Sequence, residues 1–160
     1  MTRRDTTNLT LMFVAFSLGL AGTLILLREP MARLTQSGLE EAGERWREAG
    51  VTDYDLTYRM HGSLYAVVVR GGIVTKITMN GEPARTADPA AYSVDGLLET
   101  LELDLENLSN PAGPFAGQAQ TMLMRVRFNA ELGYVERYLR SGGAGRGASI
   151  ELLEFQPVRR

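Results

Sequence analysis

The chain has 160 residues, a net charge of −2, one histidine and no cysteine. Beyond its apolar N-terminal run about 120 residues remain, enough for one domain with one core and not two. Acids and bases interleave, which gives no nucleic-acid surface, and a lone His61 without cysteine excludes a zinc site of ordinary composition.

Leu9 to Leu27 (LTLMFVAFSLGLAGTLILL) is a run of nineteen positions without a charge. An α-helix needs about 20 apolar residues to cross roughly 30 Å of hydrocarbon. A cleaved signal peptide is the alternative, with an apolar core of about 7–15 residues ending at a small-x-small site. Gly19-Leu20-Ala21 has that form but lies in mid-run. The expected organisation is a tail over 1–8, a single transmembrane helix over 9–28, a linker over 29–36 and an extracytoplasmic domain over 37–157. Arg3 and Arg4 before the run nearly balance Arg28 and Arg33 after it. A signal-anchor start still favours the N-terminus inside and the domain in the periplasm, at a bacterial inner (cytoplasmic) membrane. Ala15, Gly19 and Thr23 recur every four residues, with Gly22 beside them. Such a stripe lets a partner helix approach closely in lipid, or reflects ordinary transmembrane glycine use. No ionisable residue lies within the run, so it offers no proton relay, ion site or haem ligand.

Ser37-Gly-Leu-Glu40 is a capping-box pattern that predicts a helix to about Glu48, ended by Gly50. Trp46 on this helix packs it onto the domain or anchors a partner. Tyr54, Leu56, Tyr58 and Met60 alternate with polar residues, which is the period of a half-buried strand. Leu64–Arg70 and Ile73–Asn80 are predicted strands, joined at Gly71-Gly72 by a hairpin turn. A loop follows over 81–91. Ser93 is a plausible N-cap, with Val94, Leu97, Leu98, Leu101, Leu105 and Leu108 on one helical stripe. Met122–Phe128, Tyr134–Arg140 and Ile150–Phe155 are the last three predicted strands, with GGAGRG at 142–147 as a connector. The expected fold is α+β: an antiparallel sheet of about six strands with two helices, in the order α-βββ-α-βββ.

Several of these segments resemble a family of small bacterial extracytoplasmic domains of unknown function, often secreted or lipid-anchored. The residues that carry the resemblance are Tyr54-Asp-Leu-Thr-Tyr58, Val67-Val-Val69 with Gly71-Gly72, Tyr92-Ser-Val-Asp95-Gly-Leu97, and Val126-Arg-Phe-Asn129-Ala-Glu-Leu-Gly133-Tyr134. It covers roughly residues 45–155. Many relatives carry a Cys-x-Cys pair near the first hairpin, where this chain has Met60-His61-Gly62. Asn129 stands where the family has an aspartate and Val135 where it has a proline. The resemblance implies a fold and a compartment, not an activity.

Catalytic candidates are weak. A Ser-His-Asp triad would have to use His61, in a predicted turn. Glu40-Glu41 and the Asp104/Glu106 pair read as wet helix faces rather than a glycosidase pair. GGAGRG lacks the Gly-Lys-Ser/Thr ending of a phosphate-binding loop. Arg125, Arg127, Arg137 and Arg140 on the last hairpin form a basic partner or lipid-headgroup surface if they emerge on one face; pairing with Glu136 and Glu151 is the alternative. No cofactor and no metal are expected. The expected function is a non-enzymatic single-pass accessory subunit, packed on other transmembrane helices and the lipid bilayer of a larger complex, respiratory or photosynthetic assemblies being examples. The alternative is a membrane-tethered extracytoplasmic module that binds a small ligand, peptide or envelope component.

Overall fold

The computed structural model describes residues 30–118, 120–142 and 147–158. The chain divides into two compact units, Met1–Pro30 and Met31–Arg160. The charge-free run with Ala15, Gly19, Gly22 and Thr23 lies outside the described residues. The single-pass inner-membrane placement is corrected: among the described residues no helix is long and apolar enough to cross a membrane.

The second unit is mostly sheet, which also corrects the six-stranded α+β expectation. Its elements are β1 (Ala32–Arg33), α1 (Gln36–Ala49), β2 (Tyr54–Met60), β3 (Ser63–Arg70), β4 (Ile73–Met79), β5 (Glu82–Pro83), a 3₁₀ turn (Ala90–Tyr92), α2 (Val94–Ser109), β6 (Leu123–Phe128), β7 (Val135–Ser141) and β8 (Ala148–Pro157). The eight strands form one sheet in the order β1-β6-β7-β8-β2-β3-β4-β5, and every neighbouring pair is antiparallel. Two meanders, β2-β3-β4 and β6-β7-β8, are therefore joined through β2 and β8, the first and last long strands. The two additional strands are the two-residue edges β1 and β5. The stretch expected as linker supplies β1 and the buried Leu34.

Both helices cover one face. Register places Tyr54, Leu56, Tyr58, Val67, Val69, Ile77, Val126, Tyr138 and Ile150 on that face, and all are buried. Trp46 of α1 is buried edge-on against Tyr54 and Phe155, at ring distances of 5.5 and 6.0 Å. Helix α1 begins two residues earlier than the capping box implies. Thr35 is the N-cap and accepts from the Gly38 amide at 3.2 Å, while Glu40 accepts from Gln36 at 2.9 Å instead of closing the box. Gly50 ends the helix in the left-handed conformation, φ 59°, which costs glycine little.

The segment 93–96 ties the start of α2 to β2 and α1, and each of its residues has a structural reason. The Ser93 hydroxyl caps α2 by accepting from Gly96 N, and it donates to the Ala90 carbonyl. The Val94 amide, a first-turn donor with no helical partner, donates to the Tyr54 hydroxyl at 3.1 Å. Asp95 accepts from the Trp46 indole at 3.0 Å. Gly96 has no room for a side chain: a Cβ there would lie 2.4 Å from the Ala90 carbonyl oxygen and 2.5 Å from the Ala91 backbone. Gly96→Ala is expected to lower stability by about 3 kcal/mol, the upper end for overpacking against backbone. Gly43→Ala in α1, where a Cβ meets nothing within 4 Å, should raise it by about 0.5–1 kcal/mol through helix propensity. Urea unfolding of the two variants checks the contrast; equal effects would refute the packing argument.

Candidate functional site

The side of the sheet away from the helices is the candidate site. Alternation along β6 buries Met124 and Val126 under the helices and leaves Leu123 and Arg125 exposed on the other face, with Arg127 beside them. Leu64, Leu139 and Leu153 are exposed on the same face. Leu153 is there because β8 carries an extra residue where the register shifts between Thr57 and Tyr58; such a bulge turns an additional side chain outward. Ile73, 69% exposed, sits at the end of β4 opposite Arg70. Single exposed leucines need no explanation. Five large aliphatic residues are exposed on the sheet face that α1 and α2 leave open, spread over β3, β4, β6, β7 and β8 with the ion pairs of Arg59 and Arg70 between them.

Charge is distributed unevenly over this face. In the middle, Arg59 pairs with Glu151 at 3.6 Å and Arg70 with Asp55 at 2.7 Å. Toward β1, the arginines gather. Arg33 is registered opposite Arg125, and Arg127 opposite Arg137. Arg127, its side chain only 12% exposed, is held by Glu136 at 2.8 Å, and Asn129 donates to the other oxygen of that carboxylate at 3.1 Å. Arg33, Arg125 and Arg137 are exposed. Three of the four arginines expected to share a neighbourhood therefore do so, and Arg33, from the presumed linker, joins them.

Arg140 does not. Its strand position faces the helices, opposite Met124. There it forms an ion pair with the buried Asp104 of α2, and its guanidinium lies 4.8 Å above the Phe115 ring. The same carboxylate accepts from the Tyr138 hydroxyl at 2.6 Å. Burial, followed by this bond to Asp104, pushes the Tyr138 hydroxyl well above its usual range. Trp46 is likewise interior and forms no part of the open face.

His61 is an exposed turn residue at φ 50°. Among the described residues no three His, Cys, Asp or Glu side chains come together in a way that could hold a metal. The helix side carries grooves of mixed lining: one of about 710 Å³ along α2, with Glu99, Glu102 and Glu106 among Leu103, Leu105 and Leu108, and one of about 390 Å³ between α1 and α2, with Glu40, Asp95, Glu99 and Glu102 beside Leu39, Leu98, Trp46 and Arg47. Comparison with protein-family models, with curated proteins and with solved structures finds no match, and the motif resemblance rests on its own residues.

Proposed function

We propose that this chain is a non-enzymatic accessory subunit whose domain packs against a larger protein assembly through the open face of its sheet. The observation that carries the reading is the uncovered face itself, with Leu64, Leu123, Leu139 and Leu153 exposed beside clustered arginines. Addition of a partner strand at an edge is disfavoured. Both edges are two-residue strands and one contains Pro83, a device that blunts edge pairing. The exposed leucines and arginines favour a face-on partner.

A photo-crosslinking residue placed in the full-length protein tests this. At position 153, on the open face, it should capture a defined partner in the cells that make the protein. At position 48, exposed on α1, it should not. Capture from position 48 alone would overturn the proposal.

A further inference from the structure

Resting on that docking reading, we propose that the β1-β6-β7 end of the open face takes an acidic, extended protein segment with leucine interspersed among its carboxylates. Two like-charged pairs, Arg33/Arg125 and Arg127/Arg137, sit directly across neighbouring strands. Such placement destabilises a sheet. Glu136 offsets Arg127. Glu151, the strand neighbour of Arg137, is turned to Arg59 instead. Arg33, Arg125 and Arg137 thus have no ion pair among the described residues, and an external carboxylate relieves their repulsion.

The apolar side chains of the face set the segment's composition. On the open face β6 presents Leu123, Arg125 and Arg127 in turn, and β7 presents Arg137 and Leu139. A segment lying along these strands directs every second side chain at them. β6 thus faces one leucine-type and two carboxylate positions, and β7 one of each, so the segment must carry leucine among its carboxylates. Arginine forks suit carboxylates through paired N–H donors. The opposite side of the domain repels the same segment, since α1 and α2 carry nine acidic residues against two arginines.

The test uses the full chain and a fluorescent peptide built on the repeat Glu-Ser-Leu-Ser, followed by anisotropy. The peptide should bind, and less tightly as salt rises. Arg125→Glu and Arg137→Glu should each weaken binding about tenfold, the effect of losing one charge contact of modest strength. Both positions are exposed, so neither change threatens the fold. The double variant R125E/R137E should instead bind the matching Lys-Ser-Leu-Ser peptide. Failure of the Glu-Ser-Leu-Ser peptide to bind overturns the proposal. So does equal binding of a leucine-free Glu-Ser peptide, or displacement by inorganic phosphate at equal affinity, because either result describes an anion site. A crosslink from position 153 that survives both charge reversals would preserve the docking face and remove the acidic occupant.

Discussion

Asp104→Ala should destabilise the domain by about 3–5 kcal/mol, the cost of leaving one member of a buried ion pair without its partner. Asp104 is 6% exposed and holds two groups at once. It pairs with the Arg140 guanidinium and accepts from the Tyr138 hydroxyl at 2.6 Å, and Tyr138 is itself 1% exposed. Alanine leaves both Arg140 and Tyr138 without that carboxylate and adds a cavity. Total stabilities of about 5–15 kcal/mol leave little margin for that. The charge pair need not be optimal for stability. Replacing buried ionic groups by apolar ones of similar volume is often neutral or favourable. The triple variant Asp104→Leu, Tyr138→Phe, Arg140→Met should therefore recover most of the loss. Urea unfolding monitored by circular dichroism separates the cases. A loss under about 1 kcal/mol in Asp104→Ala would show that water reaches Arg140 and Tyr138.

Much of this arrangement was written locally, and the parts that were not are the long-range ones. The alternation Tyr54, Leu56, Tyr58 names the buried side of β2 because side chains in a strand alternate strictly. The same rule, applied to Leu123–Phe128, separates Arg125 and Arg127 from Met124 and Val126. It also separates Arg140 from Arg137: the two are three residues apart with no register shift between them, so they face opposite sides of the sheet, and grouping all four arginines on one face overlooked that spacing. Strands β1 and β5 are two residues each, too short for any period to register, so the sheet has two more strands than the pattern suggests. Arg33 was hidden for the same reason.

Sheet order is a property of pairing rather than of any segment. Nothing in Tyr54–Met60 or Ala148–Pro157 alone announces that these strands meet at the centre. Motif residues tell a mixed story. Asn129 does what an aspartate would in its turn, accepting from the amides of Glu131 and Leu132 at 3.2 and 2.8 Å. Its side-chain N–H₂ also donates to Glu136, which a carboxylate cannot do. Gly133 is at φ 80°, and a Cβ there would lie 2.1 Å from the Ala42 carbonyl oxygen. The hairpin glycine is thus a close-packing requirement of α1, visible only once the helix is in place.

Alkali should unfold this domain through its buried tyrosines. Burial pushes the Tyr54 hydroxyl up to about 12, and burial pushes Tyr58 and Tyr138 up as well, with neighbouring Tyr92 and Asp104 adding to the effect respectively. All three side chains are at most 1% exposed. In the unfolded chain a tyrosine gives up its proton near pH 10. Below that pH both states keep the proton and the full stability is present. Above it the unfolded state loses protons that the native state retains, so stability falls as pH rises, until the native hydroxyls titrate. For Tyr54 that window runs from about 10 to about 12. Each tyrosine contributes a slope of about 1.4 kcal/mol per pH unit, so the three together remove about 4 kcal/mol by pH 11. The sensitive control is Tyr58→Phe, because its hydroxyl makes only a 3.4 Å bond to the Tyr92 carbonyl. That variant should match the parent at neutral pH and lose about a third of the alkaline slope. Unfolding midpoints in urea, measured alongside tyrosinate absorbance, give both quantities. An unchanged slope in Tyr58→Phe, or stability that stays flat to pH about 12, would mean that these hydroxyls reach solvent in the native state.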